Sequence, residues 1–479
     1  MTISRRHFLQ LSAAAGLSLT LGACAPARRT YAANENVRLG FVGFKGRGGD
    51  LLKSFRKVPG VTVAALCDVD PAVLGQRMKE AEALGEKPVG IVDARHVFDR
   101  ADIDAVVIAT PNHTHAVLAS WAMQAGKDVY LEKPVSHDID EGIRLLAVQR
   151  RTGRIIAAGT QNRSDVGLRA AFAELHAGKF GAITAVRGFC FRDRKSIGKI
   201  DAPLMPPEGL AYDLWLGPAA HLPIMRPQFH YDWHWVWNTG NGDLGNQGPH
   251  ELDLACWALG DPGFPEEVCG IGGRFEWNDA GETANLMTAF YRFANGTPLV
   301  FEVRNLPPKD KAKGAWQGIE EPAIVIECAK GKLRAKRGGA AFFDDTGKLV
   351  QEWKGDAGAT HQANFIQAVR EGRPDLLTAP LGKSVVAAGL AHLGNASLRI
   401  GAPGGVDQAR AAIHGRTRLG EHVDRMLDVL GDYRIDLSKT PLSIGPDLTI
   451  DRATGLVSGA HAARANALLQ RQPRTGWQV

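Results

Sequence analysis

From Val37 onward, short apolar runs alternate with glycine turns and amphipathic stretches. VRLGFV at 37–42 is apolar and carries β-branched residues, and the segment from Asp50 to Lys57 after the glycines has helical spacing. VTVAALC (61–67), AVVIAT (105–110) and DVYLE (128–132) repeat the pattern, each preceded by a helix-like stretch. RIIAAG (154–159) closes it, after an amphipathic helix from about Asp138 to Arg151. Strands that alternate with helices predict an α/β unit over residues 36–160, a doubly wound parallel sheet covered on both faces.

Beyond Gly159 the pattern changes. AITAVRGFCF (182–191), NLMTAFYRF (285–293), PLVFEVR (298–304) and PAIVIEC (322–328) follow one another without regular helices, separated by loops rich in Pro, Trp and Gly. This succession predicts an α+β domain over 161–400 with a largely antiparallel sheet. Residues 401–479, with several Gly and Pro breaks and a helix near Glu421 to Leu430, read as a C-terminal arm.

A chain of 479 residues with 44 % hydrophobic content can bury more than one core, in keeping with two domains. Its first residues bear on compartment. Ser4-Arg5-Arg6-His7-Phe8-Leu9 is a twin-arginine signature, and the weakly apolar run from Leu9 to Ala23 is short and rich in small residues, so residues 1–33 read as an export signal for the twin-arginine machinery and a periplasmic destination. Leu21-Gly22-Ala23-Cys24 has the form of a lipoprotein box in which Cys24 would be acylated; cleavage after Ala33, discarding Cys24, is the alternative. No later segment is apolar for long enough to predict a transmembrane helix. The formal charge of +6 falls to +2 once the four arginines of residues 1–33 are set aside, which gives no reason to expect nucleic acid as a partner. Cys67, Cys190, Cys256, Cys269 and Cys328 lie in apolar contexts and read as buried thiols.

Gly43-Phe44-Lys45-Gly46-Arg47-Gly48 follows the first strand and opens a helix. In that setting backbone N–H groups and the positive helix end can hold a pyrophosphate, and glycine allows close approach. Asp68 ends the second strand, where a carboxylate accepts hydrogen bonds from ribose hydroxyls and repels a 2′-phosphate, so NAD is expected over NADP. Lys45 stands where the usual fingerprint has its middle glycine, leaving Gly46 to provide the close approach.

Two further motifs narrow the reading. Ala109-Thr110-Pro111-Asn112-His113-Thr114-His115, and Glu132-Lys133-Pro134 after the next strand, resemble the glucose-fructose oxidoreductase/inositol dehydrogenase (Gfo/Idh/MocA) family. Gly159-Thr160-Gln161-Asn162-Arg163, Trp215-Leu216-Gly217-Pro218 and Leu244-Gly245-Asn246-Gln247-Gly248-Pro249-His250 are similar to its exported sugar-acting members. The resemblance implies a Rossmann domain, a second domain whose open sheet floors the substrate site, and a homo-oligomer packed through that sheet. It places Lys133 between nicotinamide and substrate and His250 at the family's histidine. Asn246 matches a position where the family has aspartate, and an amide cannot act as a carboxylate base. Thr110, Pro111, Asn112, His115 and Glu132 join Gly43, Lys45, Gly46, Arg47, Gly48, Asp68 and Lys133 as expected cofactor contacts.

Hydride leaves a secondary alcohol carbon only as its hydroxyl proton is withdrawn, so a base within hydrogen-bond reach is required. His250 is expected as base and Lys133 as partner of the substrate oxygen, with the reverse assignment open. Gln161, Arg163, Tyr231, His234 and Asn246 are candidate substrate contacts. Trp233, Trp235 and Trp237 are either a sugar-stacking surface or a core anchor. Asp253, one helical turn after His250, either orients that ring or caps the helix. His113 and His115 read as turn and helix residues rather than metal ligands. Together these features predict an oxidoreductase acting on a sugar or polyol with tightly held NAD, exported folded; the alternative is a redox-neutral NAD-dependent glycosidase. A binding protein that has kept the fold is a third reading.

Overall fold

The computed structural model describes residues 31–32, 35–307, 309, 315–412 and 420–479. The twin-arginine stretch and Cys24 lie outside the described residues. The first unit runs β1 (Val37–Val42), α1 (Arg47–Phe55), β2 (Val61–Cys67), α2 (Pro71–Ala83), β3 (Val89–Ile91), α3 (Ala94–Phe98), β4 (Ala105–Ile108), α4 (His115–Gln124), β5 (Asp128–Leu131), α5 (Ile139–Thr152) and β6 (Ile156–Ala158). Its six strands are parallel in the order β3-β2-β1-β4-β5-β6. Strands β4 and β5 are buried at every position because helices cover both faces, which is why, apart from Asp128 at the start of β5, they read as apolar runs. Local chemistry sets the helix ends. The Asp70 carboxylate accepts from the Ala72 N–H at 3.0 Å, that of Asp138 from the Glu141 N–H at 2.8 Å, and Gly153 ends α5 in the left-handed region. The chain reverses direction across the sheet between β1 and β4, so the loops after them diverge and leave a crevice at their carboxyl ends.

The second unit is built on α6 (Val166–His176), β7 (Ile183–Phe191), α7 (Gly248–Ala258), β8 (Glu267–Gly273), β9 (Leu286–Arg292), β10 (Pro298–Arg304), β11 (Ala323–Cys328), β12 (Gly331–Lys336), β13 (Gly339–Phe343) and β14 (Leu349–Lys354). In this mixed sheet β7 and β10 run parallel and the neighbouring pairs antiparallel, as expected. Among the described residues Cys67, Cys190, Cys256, Cys269 and Cys328 are buried thiols, as read from their contexts.

Packing crosses the boundaries drawn from the sequence. α8 (His361–Glu371) belongs by position to the second unit, yet Phe365 and Val369 complete the first unit's core, with the Phe365 ring centroid 5.8 Å from that of Tyr130. α9 (Leu381–Arg399) packs against β8 and alongside α7, which itself lies on β7 and β11. The arm is not an appendage: β15 (Ala402–Gly404), β16 (Leu442–Ile444) and β17 (Leu448–Ile450) extend the second sheet beyond β8. α10 (Val406–Ala412) and α11 (Glu421–Asp432) lay Ala409, Val423, Met426 and Leu430 on the sheet against Ile271, Phe290 and Val300. The chain's own helices therefore cover part of the face that the resemblance leaves open.

Candidate active site

A cavity of about 450 Å³ occupies the crevice and continues to the start of the second unit. Gly43, Lys45, Gly46 and Arg47 line it beyond β1. Gly43 has φ +79°, and a Cβ there would stand 3.0 Å from the Thr110 backbone nitrogen. Gly46 has φ +69° with open space where a Cβ would be, so it provides the close approach that Lys45 cannot. Gly48 differs from expectation. It packs against the turn, where a Cβ would meet the Gly43 carbonyl oxygen at 2.1 Å, and does not line the cavity. No side chain caps the start of α1, so its first N–H groups and positive dipole end are free to meet an anion.

Asp68 lines the same cavity. Its carboxylate accepts from the Phe44 N–H at 3.1 Å and the Asp70 N–H at 3.0 Å, while burial lifts its pKa to about 6. Thr110, Pro111, Asn112 and His115 form the wall beyond β4. The His115 ring nitrogens lie 2.6 Å from the Pro134 carbonyl oxygen and 2.7 Å from that of Thr110, and those of His113 face the carbonyls of Thr239 and Trp215. Both rings are thus engaged by backbone.

Glu132 and Lys133 follow β5 and form the other end. Arg47 Nε donates to the Glu132 carboxylate at 3.0 Å, Gln161 Nε2 donates to it at 3.0 Å, and the Lys133 N–H at 3.1 Å. Gln161 therefore sits behind the cavity and braces Glu132, a correction to its expected place on the substrate. The Lys133 side chain reaches across to the second unit: Nζ donates to the Asn246 carbonyl oxygen at 2.7 Å and to its Oδ1 at 3.2 Å. Burial, first among the causes, lowers the Lys133 pKa, and Arg47 adds to the effect against Glu132. Asn246 Nδ2 donates to Asp243 at 3.2 Å, which fixes which side of the amide faces Lys133. Tyr231 and His234 line the cavity beside Asn246, and the Trp233 ring stacks on His234 at a centroid distance of 3.6 Å. Burial pushes the His234 pKa down to about 3, so its ring is neutral. Trp235 is buried with the Arg194 guanidinium 5.3 Å from its ring centroid, an anchor for the loop.

Two expected residues lie elsewhere. Arg163 is buried in a double ion pair, at 2.9 Å from Asp253 and 2.7 Å from Asp261, so it ties the loop after β6 to α7 instead of meeting substrate. The same pair uses Asp253, which therefore does not orient His250. His250 does not line the cavity; burial and the positive charges of Lys133 and Arg47 hold its pKa well below the usual histidine value.

The structure adds groups the sequence did not single out. Asp243 is fully buried and accepts from Arg194 at 2.8 Å and 2.9 Å, from Asn305 at 2.7 Å and from Asn246, so it anchors the amide that faces Lys133. Its position in Gly242-Asp243-Leu244, three residues before Asn246, was the available signal. Asp70 and His230, joined at 2.9 Å, clasp the two units across the cleft. Trp121 and Trp477 line the far end, with no local pattern to mark them.

Residues 37–160 match the model of the oxidoreductase family GFO_IDH_MocA, NAD-binding Rossmann fold, and residues 219–334 match the GFO/IDH/MocA C-terminal domain. A protein of Solibacter usitatus named Glycosyl hydrolase family 109 protein is 33 % identical over 163 residues, 32 % of this chain and 37 % of the relative. One of the same name from Saccharopolyspora erythraea is 33 % identical over 172 residues, 32 % of this chain and 38 % of the relative. The chain thus spans little more than a third of these curated relatives. The WlbA dehydrogenase of Bordetella pertussis, solved with NADH and UDP-GlcNAcA, is similar in fold with a TM-score of 0.54 at 20 % identity, over 74 % of this chain and 94 % of that one. The aldose-aldose oxidoreductase of Caulobacter crescentus, solved with glycerol, gives 0.55 at 15 % identity over 74 % and 95 %.

Proposed function

The chain belongs to the Gfo/Idh/MocA oxidoreductase family, and on that premise we propose that it moves hydride between a secondary alcohol carbon of a sugar or polyol and a tightly held NAD. The observation that carries this reading is one continuous cavity joining the glycine turn and Asp68 to Lys133 and Asn246. The residues fit the dinucleotide: the uncapped start of α1 suits a pyrophosphate, and Asp68 suits ribose hydroxyls and repels a 2′-phosphate. When bound, the nicotinamide supplies the hydride acceptor. The chain supplies the rest. Lys133, its pKa lowered from the usual amine range by burial, takes the hydroxyl proton as the carbon is oxidised. Asn246 and Asp243 fix where that amine points, and Tyr231 and His234 offer polar edges to neighbouring hydroxyls. This gives the proton to Lys133 and not to His250.

Among the described residues no helix is long and apolar enough to cross a membrane. Export through the twin-arginine route, with the nucleotide enclosed beforehand, accords with a cofactor that is retained and regenerated on the enzyme. Denaturing the purified protein and identifying the released nucleotide by mass spectrometry, then assaying a carbohydrate panel at the nicotinamide absorbance, tests the reading. Lys133→Ala is expected to lower turnover by about 10²–10⁴-fold with nucleotide still bound; undiminished turnover would remove Lys133 from the chemistry.

The names of the curated relatives favour a second reading. A glycosidase that oxidises one ring carbon, eliminates the aglycone, adds water and returns the hydride would need the same cavity. Nitrophenol released from nitrophenyl glycosides with no added NAD and no acceptor selects that reading; its absence, with reduction of NAD by a free sugar, selects the dehydrogenase.

A further inference from the structure

Residues 470–479 return across both units and end at the nucleotide cleft. The Arg471 N–H donates to Asp138 at 3.0 Å, and its guanidinium donates to the His113 carbonyl at 3.1 Å and pairs with Glu141, all in the first unit. Arg474 grips the loop that follows β7, with Nε donating to the Gly217 carbonyl at 2.7 Å and Nη1 to Asp213 at 2.5 Å. Three residues beyond Arg474, whose carbonyl accepts from the Trp477 N–H at 3.1 Å, Trp477 packs its indole on Trp121, with ring centroids 5.1 Å apart at 36°. A Cβ on Gly217 would stand 3.5 Å from that indole, so the turn and the ring are in contact.

Position along the cleft says which part of a dinucleotide this ring meets. Lys133 follows β5 and Val92 follows β3, four strand spacings apart, or about 19 Å. Asp68 follows β2 and marks the ribose nearer the β3 end. Beyond it the wall is largely apolar, made by Val92, Ala94, Leu118, Trp121 and Trp477 with Asp93 beside them. Phosphates belong at the glycine turn and the reacting ring at Lys133, so the planar, weakly polar adenine is the part that suits this end.

We propose that the C-terminal segment completes the adenosine subsite, with the Trp477 indole closing on the adenine and the Arg471 and Arg474 anchors setting how fast the nucleotide escapes. The inference rests on the nucleotide reading above. It also gives that reading a physical means of retention, since adenine cannot leave past Trp477 until contacts to both units are broken.

The test uses full-length protein freed of nucleotide and titrated with NAD, ADP-ribose and nicotinamide mononucleotide. Trp477→Ala is expected to weaken NAD and ADP-ribose about tenfold and to speed NAD release to match, leaving nicotinamide mononucleotide unchanged. Trp477→Phe keeps a ring and is expected to restore most of the loss, which also guards against a folding defect in the alanine variant. Arg474→Ala is expected to speed release of NAD. Unchanged ADP-ribose affinity and release in Trp477→Ala, in a protein whose wild type binds both ligands, overturns this inference alone. Equal weakening of all three ligands also overturns it, because a general loosening would be the cause. Wild-type protein that takes up neither NAD nor ADP-ribose overturns the nucleotide reading, and this one with it.

Discussion

Lys133 Nζ and the Asn246 side-chain oxygen lie 3.2 Å apart across the junction of the two units, so a neutral amide faces the amine where the family pattern places a carboxylate. The amide accepts a hydrogen bond without adding negative charge, and burial keeps the Lys133 pKa down. Asn246→Asp reverses this. A carboxylate within about 4–6 Å raises an amine's pKa by about 1–3 units, so the acidic limb of the pH profile for alcohol oxidation is expected to move up by about one unit or more. A limb that stays in place would separate Lys133 from the titration that governs turnover.

Asp68 gives nucleotide binding its own pH dependence. Burial raises its pKa to about 6, so the carboxylate is ionised at neutral pH and protonated below that value. Ribose hydroxyls donate to the ionised form, so NAD affinity is present above about pH 6 and is lost as pH falls through it. Titration calorimetry is expected to show about a tenfold weakening between about pH 7 and about pH 5. Asp68→Asn binds NAD weakly with a flat profile; a wild-type profile equally flat would remove Asp68 from the ribose.

Arg163 and Asp253 form a pair with side chains only 5 % and 0 % exposed. Replacing Arg163 by Ala strands the Asp253 carboxylate in the interior, at a cost of about 3–5 kcal/mol. Thermal or denaturant unfolding reads this directly. A variant that melts with the wild type and shows only a raised KM for the sugar would return Arg163 to the substrate.

The glycine turn separates two kinds of damage. Gly48→Ala drives a Cβ to 2.1 Å from the Gly43 carbonyl oxygen, so the turn must move and NAD binding is expected to disappear. Gly46→Ala meets open space and bears only backbone strain, at φ +69° and ψ −120°, of about 1–3 kcal/mol. Equal loss of NAD binding in the two variants would show that packing at Gly48 is not what shapes the turn.

These contrasts also show what the sequence could reveal. The strand at 298–304 was legible to the residue because Leu299, Val300, Phe301 and Val303 make a short apolar, β-branched stretch that Glu302 alone interrupts. The strands at 331–354 were not: GKLRAK alternates lysine and arginine with Gly331, Leu333 and Ala335 and turns only the latter three fully inward. Motifs of consecutive residues placed the turn, Asp68 and Lys133 in one cavity, since the parallel sheet brings the ends of successive strands together. Arg163 was misread because its partners lie 90 and 98 positions away. No local pattern separates an arginine that meets a buried aspartate from one that meets a sugar. Trp477 was overlooked for the same reason, its neighbour Trp121 being set by the path of the whole arm.

The helix His361–Glu371 closes the core around Phe41, Phe55 and Tyr130 from a part of the chain made long after them. During synthesis, the half that carries the glycine turn therefore emerges with one wall of its interior still inside the ribosome. Its strands can pair early, but Phe365 and Val369 arrive only when most of the protein has been translated. A fragment ending at residue 160 would expose that missing wall to water and to other nascent chains. The unit that carries the glycine turn is thus complete only once residues 361–371 have been made and have packed onto it.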